Sequence, residues 1–477
     1  MLINLDEIAQ KEYNPKTEIL RIIRDNIKGT KWSREIFVVG NTVRKLLNNK
    51  PIGTIELVVF CPKGHVSFTK WLEELLPKYG TNIHTDIREI CGDADISLHF
   101  GKETKVVVNI HVSMTRKDSY FNNSSWDYKA EYGSISEDGK RRGLVPDSLY
   151  MDIISGVVFG SSIEATKLFE KKLVAINGDA MSVIEGRPEL MLETIALSCE
   201  IGWKIHKDTW LAILKNKSKL DKVDTEIVRD LFKRIINTRN AAYGIEELKR
   251  CGLLKFIIPE LYDIMNTKTQ DVSNYYRAIF NLSNCKEGDF CSKMACLLLE
   301  IGKTKRVRNY GRYQLVGSEK TSDKVAMLIA KRLKFTSEEI LTIKKCVEMC
   351  NAFNTIEGVP TDKSLRNLIN NSNKSLTSLC HVIKAVRSNE SMLENLEKPW
   401  TYEEIEERIK ELQDKTRKVK LPFDGNELME HFNLSPSRIV GELMSKSRQL
   451  VEGNNSLTKD EVFKLLSLEM SKTESCV

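Results

Sequence analysis

The chain predicts a mixed α/β domain in its first third and helices from there to the end. Three observations carry this reading. Short apolar runs bounded by turn residues alternate with helical spacing only as far as about residue 155. Beyond that point apolar residues recur almost throughout at three- and four-residue intervals, the signature of amphipathic helices. The 477 residues are also too many for one core, so several domains of ordinary size are expected.

The elements follow from local pattern. Ile19, Ile22, Ile23 and Ile27 fall on one helical face behind Pro15. Ile36 to Val39 is a short apolar strand ending at Gly40, and Thr42 to Leu47 reads as the helix after it. Ile55–Phe60 and Lys105–Val112 read as further strands, and Tyr402–Lys418 as a charged helix near the end. Breaks near residues 267–274, 389–399 and 420–425 suggest four segments: 17–155, 156–266, 267–398 and 399–477. No fixed-period repeat and no low-complexity stretch interrupts them.

Bulk properties exclude some classes. Hydrophobic residues make up 41% and charged residues 29%, an ordinary soluble composition. No apolar run approaches the roughly 20 residues of a membrane helix. The first residues lack a basic region followed by an apolar stretch, so a cytoplasmic location is expected. The eleven cysteines are scattered and odd in number. The close pairs Cys291/Cys296 and Cys346/Cys350 have no second pair at zinc spacing, which favours reduced, buried thiols over a metal site. A net charge of +7 neither requires nor excludes nucleic acid, so local clustering has to decide.

The most informative stretch is Phe37-Val38-Val39-Gly40-Asn41-Thr42-Val43-Arg44-Lys45-Leu46-Leu47. A strand runs through a glycine turn into a helix, an arrangement whose backbone N–H groups can face phosphate. It resembles the head signature of class II CCA-adding tRNA nucleotidyltransferases and bacterial poly(A) polymerases, G-G-x-x-R-D-x-L-L-G followed by D-x-D on a strand. Gly40, Val43, Arg44, Leu46 and Leu47 match, whereas Asn41 replaces the second glycine and Lys45 the aspartate. The resemblance implies a polymerase-β-like mixed-sheet head, then a helical neck, body and tail. It also implies transfer of CTP and ATP to a tRNA 3′ end, with Mg²⁺ held by carboxylates at i and i+2.

Those carboxylate positions are degenerate here. They fall on Thr54 and Glu56, and the third, on a later strand, falls on His111. Threonine carries no charge, glutamate is one methylene longer than aspartate, and neutral imidazole is a poor Mg²⁺ ligand. Glu56 is therefore the one catalytic candidate, His111 reads as structural, and no metal site is expected unless the protein is active, in which case Mg²⁺ is the cofactor. A second D-x-D, Asp93-Ala94-Asp95, lacks a preceding glycine turn and reads as a solvated strand face.

Later motifs of the family are also altered. Arg141 and Arg142 keep the basic pair of R-R-D-F-T-x-N-A, with Gly143 and Asp147 at its acidic and Asn positions. The pair is either a phosphate ligand, with Gly40 and Arg44, or a surface basic patch. The base-selecting E-D-x-x-R has become Gly186-Arg187-Pro188-Glu189-Leu190, so Arg187 and Leu190 occupy the selector positions. A site that reads bases by paired hydrogen bonds loses discrimination when those partners go. Gly252 to Leu261 resembles the body segment G-L-L-x-x-I-L-P-E-L. Ala295 to Lys303 resembles the L-A-A-L-L-H-D-I-G-K of HD phosphohydrolases, with Leu299-Glu300 in place of His-Asp and with Tyr275 and Ser318 at the other His positions. Lys303, Lys305, Arg306, Arg308 and Arg312 around Tyr310, and Lys415, Arg417 and Lys418 before a family-like tail, are the candidate RNA contacts, or else solvated charge.

Framework residues persist where ligands are replaced. The expectation is a relative that binds RNA, with tRNA or a tRNA-like acceptor arm as partner and nucleotidyl transfer lost or strongly impaired. Binding of an NTP without transfer is compatible with the surviving arginines. The alternatives are an active CCA-adding enzyme or poly(A) polymerase, and a protein-interaction scaffold that pairs with itself or with an active paralogue.

Overall fold

The computed structural model describes residues 1–11, 13–100, 106–120, 128–266, 272–304, 306–309, 312–315, 319–356, 358–394, 400–418, 421–453 and 457–474. The chain divides into two compact units, Met1–Lys268 with Arg332–Phe335, and Thr269–Lys331 with Thr336–Val477.

The first unit is built on a sheet whose strands, in chain order, are β1 (Ile36–Val39), β2 (Ile55–Val59), β3 (Gly80–Arg88), β4 (Asp93–Phe100), β5 (Val106–Met114), β8 (Leu149–Asp152) and β9 (Val158–Gly160). A separate hairpin is formed by β6 (Arg116–Tyr120) and β7 (Tyr128–Tyr132). The spatial order is β3-β4-β5-β2-β1-β8-β9. Only β2 and β5 are parallel; every other neighbouring pair is antiparallel. Val38, Leu57, Ile96, Ile110 and Val112 are almost wholly buried. Helix α1 spans Leu5–Lys11 and α2 spans Pro15–Ile27. The isoleucines of α2 are buried, with Pro15 in its first turn. Helix α3 (Gly40–Leu47) leaves β1 directly, and α4 (Gly64–Leu75) packs on β2, β4 and β5.

Helices α5 (Ile135–Arg141), α6 (Ile163–Glu170), α7 (Ala180–Gly186) and α8 (Leu190–Ile201) follow. Helix α8 is apolar nearly all round and is buried along most of its length, as that pattern requires.

The second unit is helical. Its helices Val272–Asn284, Phe290–Leu298, Ser337–Asn354 and Leu376–Glu394 pack on one another. Near the end, Gly425–His431, Arg438–Gly453 and Lys459–Glu474 close over Phe423, Leu428, Leu443, Val462, Phe463 and Leu466.

Two expectations need correction. Strand structure continues past residue 155 into β9, because the short run Val158–Gly160 completes the sheet edge against β8. The helical region also holds a hairpin, Arg306–Asn309 paired with Arg312–Leu315. Four-residue strands rich in arginine are too short and too polar to show the alternation that marks a strand. Among the described residues no helix is long and apolar enough to cross a membrane.

Candidate functional site

The three positions Thr54, Glu56 and His111 meet on one side of the sheet. In the parallel β2–β5 pair Glu56 lies opposite His111, and in the β4–β5 pair His111 lies opposite Asp95. Glu56, His111 and Asp95 thus form one row across three adjacent strands, with Thr54 just ahead of β2.

The glycine turn is folded around Glu56. Gly40 has φ +66°, and a Cβ there would stand 2.2 Å from Glu56 Oε2. Only glycine permits both the left-handed backbone and that approach. The carboxylate accepts a hydrogen bond of 3.2 Å from the Asn41 N–H, in the first turn of α3. No side chain of the N-cap residue, Val39, caps this helix. An anion at a helix N-terminus satisfies an orphan donor and meets the positive end of the dipole, so Glu56 supplies from β2 what the cap residue lacks. Thr42 stitches the two segments: its hydroxyl accepts from the Glu56 N–H at 2.9 Å and donates to the Thr54 carbonyl at 3.1 Å. Burial, reinforced by the charge of Asp147, raises the Glu56 pKa, while Arg142 and His111 oppose the rise.

The arginines singled out from the sequence are held by carboxylates of the same chain. Arg44 donates through Nε to Asp147 at 2.8 Å and through Nη2 to Asn41 Oδ1 at 3.0 Å. Arg142 donates through Nε to Asp138 at 2.8 Å, and Arg141 donates through Nη2 to the same carboxylate at 2.7 Å. The Tyr150 hydroxyl donates to Asp138 as well, at 2.6 Å. The Asp138 side chain is fully buried. Burial alone would raise its pKa, but Arg142, Arg141 and Tyr150 more than offset that and hold it below the usual carboxylate range. Arg141 and Arg142 are therefore not a surface patch, since their side chains are only 15% and 12% exposed. One Arg142 nitrogen, Nη2, is buried without a hydrogen-bond partner. Sequence reasoning passes over Asp138, although a carboxylate three and four residues ahead of two arginines on one helix is a readable signal.

A cleft of about 760 Å³ opens among these groups. Arg44, Lys45, Lys50, Arg142 and Arg234 bring positive charge to its lining, and Glu56, Asp147, Glu193 and Glu200 bring negative charge. Lys45, at the position of the family aspartate, has its pKa lowered by burial and by Arg44. Arg234 bonds to Glu200 at 2.9 Å.

The Asp93-Ala94-Asp95 reading changes too. Asp93 is buried and bonded to Arg88 at 2.7 Å and Arg116 at 3.0 Å, whereas the Asp95 side chain is half exposed, so the solvated-face reading fails at Asp93 and not at Asp95. Asp95 bonds to Arg88 at 2.7 Å and to His111 Nδ1 at 2.8 Å. The His111 bond, aided by Arg88, holds the Asp95 pKa at about 2. The two aspartates do alternate along a strand, but both are neutralised by cations of the same chain.

Both base-selector positions pack against the segment that ends α5. Arg187 donates to the Arg141 carbonyl at 2.6 Å and to Glu189 at 3.2 Å. Leu190 is wholly buried, and a Cβ on Gly143 would meet its Cδ2 at 2.8 Å. A second cleft of about 500 Å³ is lined by Lys117, Asp118, Lys140, Arg141 and Arg187.

Of the basic RNA candidates, Lys303 lies in a short 3-10 turn, Arg306 and Arg308 on one strand of the Arg306–Leu315 hairpin and Arg312 on the other. Lys415, Arg417 and Lys418 lie on the helix Tyr402–Lys418. Lys305 and Tyr310 fall outside the described residues, as does Ser318 of the HD-like positions. Tyr275, Leu299 and Glu300 are all buried.

The residues do not fit the paired Mg²⁺ ions that the fold implies. One oxygen of Glu56 is engaged by the Asn41 N–H, Thr54 brings no charge, and the Nδ1 of His111 is bonded to Asp95. Among the described residues no group of three His, Cys, Asp or Glu is spaced to hold a metal.

A mixed sheet with a glycine turn opening a helix beside this strand pair, with mainly helical structure after it, defines the fold class. Comparison with known proteins narrows that class. Residues 202–265 match the family model described as "Probable RNA and SrmB- binding site of polymerase A". The whole chain is similar in structure to the Bacillus stearothermophilus CCA-adding enzyme in complex with CTP, with a TM-score of 0.58 and 14% identity over 98% of this chain and 100% of that one. A CCA-adding enzyme in apo form II gives 0.56 and 15% over 98% and 100%. A tRNA-processing enzyme gives 0.52 and 14% over 81% and 93%. No curated protein sequence matches the chain. The fold is that of the CCA-adding enzymes, with a nucleotidyltransferase head and a helical body.

Proposed function

We propose that this protein is a member of the CCA-adding tRNA nucleotidyltransferase and poly(A) polymerase family that binds RNA and has lost, or nearly lost, nucleotidyl transfer. The observation that carries the reading is the position of Glu56. The one surviving carboxylate of the metal set caps α3 from within, bonded to Asn41; its neighbour in the row is a histidine tied to Asp95, and the position two residues before it is a threonine. The candidate phosphate ligands are committed in the same way, Arg44 to Asp147 and the Arg141/Arg142 pair to Asp138. A triphosphate entering the cleft would have to displace carboxylates already bonded there.

RNA binding is supported by the matched RNA-binding segment over residues 202–265 and by the basic positions on the hairpin and the Tyr402–Lys418 helix. The partner that suits the fold is a tRNA-like acceptor arm, read through its phosphates.

The test uses purified full-length protein, tRNA lacking its CCA end, labelled CTP and ATP, and either Mg²⁺ or Mn²⁺. Retention of the tRNA at low salt with no label incorporated is the expected result. Robust incorporation that Glu56→Ala abolishes overturns the loss of transfer, and failure to retain the tRNA overturns the RNA-binding role.

A further inference from the structure

Helix α4 packs on β2, β4 and β5 through a face of Phe68, Thr69, Leu72 and Leu75, all buried, and the first side chain of that face is a histidine. His65 is 1% exposed, and neither ring nitrogen has a hydrogen-bond partner among the described residues. A neutral imidazole carries one donor and one acceptor, and here both go unmet. The hydroxyls of Thr69, one turn along the same face, and of Thr115, just past β5, are buried without partners as well. Leucine or phenylalanine would fill the place of His65 without leaving a polar atom unsatisfied. Orphaned buried polar atoms are rare, so four of them around one helix call for an account.

The start of the helix is closely seated and poorly finished. A Cβ on Gly64 would stand 2.4 Å from Val59 Cγ1 and 2.6 Å from Cys61 Sγ, so the first turn presses on the end of β2. The Val59 carbonyl there accepts from the Thr115 N–H at 3.0 Å. The N-cap residue is Lys63, at φ +53° and with no side-chain bond to the helix. A capping side chain normally supplies an oxygen at this point, whereas lysine brings a cation to the positive end of the helix dipole.

Protonation is what such a site resists. Burial lowers the His65 pKa; Arg116 on β6 and Lys63 ahead of the helix add to that, while Asp93 on β4 and Glu89 before it oppose it. Asp93 is already bonded to Arg88 of β3 at 2.7 Å and to Arg116 at 3.0 Å. Glu56 on β2 and His111 opposite it on β5 lie on the other face of the sheet from Val59, by the alternation of a strand.

We infer that His65 makes the seat of α4 an acid-sensitive switch: the neutral imidazole keeps the first turn on the sheet, and taking up a proton expels it. A second cation in that turn meets the positive end of the dipole beside Lys63 and gives up its hydration with no bonded counter-charge. The coupling has a definite sign. Opening the helix returns His65 to its ordinary pKa of about 6.5, above its seated value, so the opened form binds a proton. The closed form is fully favoured above that pH and loses ground as pH falls through it. From about pH 7.5 to about pH 5.5 the opening equilibrium should rise about tenfold, with the seated value below that range.

Hydrogen exchange of the full-length protein, read by mass spectrometry on peptides covering residues 64–75, measures this opening once the intrinsic effect of pH on exchange is removed. The parent protein should show the tenfold rise in opening at the lower pH. His65→Gln and His65→Phe, which cannot titrate, should show none. Other histidines of the first unit titrate in the same range, so these two variants assign the effect, and either one that folds is enough. Opening of α4 that does not change with pH in the parent overturns the switch without any variant. A tenfold rise that persists in His65→Gln or His65→Phe overturns it as well.

Discussion

Replacing Gly40 by alanine probes the contact on which the candidate site rests. Two costs are expected. Alanine at φ +66° enters the left-handed region, at about 1–2 kcal/mol. The new Cβ would also lie 2.2 Å from Glu56 Oε2, so the carboxylate must swing away and release the Asn41 N–H. A hydrogen bond to a charged group contributes about 1.5–3 kcal/mol, so the total comes to roughly 2.5–5 kcal/mol. The two costs separate in a double-mutant cycle. In a Glu56→Ala background the carboxylate is gone, and Gly40→Ala should cost only the backbone term. The coupling energy is then about 1.5–3 kcal/mol. Urea unfolding of the four proteins at pH 7, followed by a signal from the first unit, measures it. Equal costs of Gly40→Ala in both backgrounds, to within about 0.5 kcal/mol, would refute the claim that Glu56 caps α3.

Four further outcomes are expected. Asp138→Asn leaves Arg142 without its bonded carboxylate and Arg141 with only the more distant Asp118 at 3.9 Å, and should cost about 3–5 kcal/mol; an unchanged melting temperature would show that the two arginines find water instead. Because Glu56 has a raised pKa, its burial destabilises the folded state only once the carboxyl ionises. The cost is absent below the ordinary glutamate value of about 4.3 and grows as pH rises through the raised one. Glu56→Gln should therefore gain stability relative to the parent between acid and neutral pH, and a difference that does not vary with pH contradicts the burial effect. Lys415, Arg417 and Lys418 changed together to glutamine should flatten the salt dependence of tRNA affinity, by about 0.9 in logarithmic slope for every duplex phosphate that these cations neutralise; parallel salt curves would remove the helix Tyr402–Lys418 from the interface. Leu190→Arg, which restores a selector guanidinium, puts a charge where nothing is exposed and where Gly143 already abuts, so thermal melts should show a loss of about 3 kcal/mol or more with no CTP incorporation gained.

The fold and the site differ in how far the sequence reveals them, and the difference follows chain separation. Strand β1, the glycine turn and α3 are legible because each depends on its own few residues. That Glu56 and His111 fall side by side is what the family resemblance implies; two apolar runs by themselves do not state which strands pair or in which register. What Glu56 does is not legible, since its donor is the Asn41 N–H 15 residues earlier, and backbone donors leave no trace in composition. The bond from Arg44 to Asp147 spans 103 positions, and that from Arg187 to the Arg141 carbonyl spans 46. Such pairings exist only once the sheet has formed. The bond from Arg142 to Asp138 spans four, and helical spacing could have revealed it.

This ordering bears on the functional question directly. A motif search registers the survival of Arg44, Arg141 and Arg142 and reads them as phosphate ligands, because residue type is all it sees. Whether an arginine is available to a ligand depends on the charge already beside it, and here each has a carboxylate within 2.8 Å. The same holds for the carboxylates: Asp93 and Asp95 are intact in sequence and are engaged by Arg88 in space. Thr54 and His111, standing where the proposed reading expects carboxylates, would by themselves leave a cleft whose five cations could hold a triphosphate. Internal pairing of the remaining charges makes such a ligand compete with the chain's own carboxylates, and the Glu56 and Asp138 variants measure how strongly the fold holds two of them.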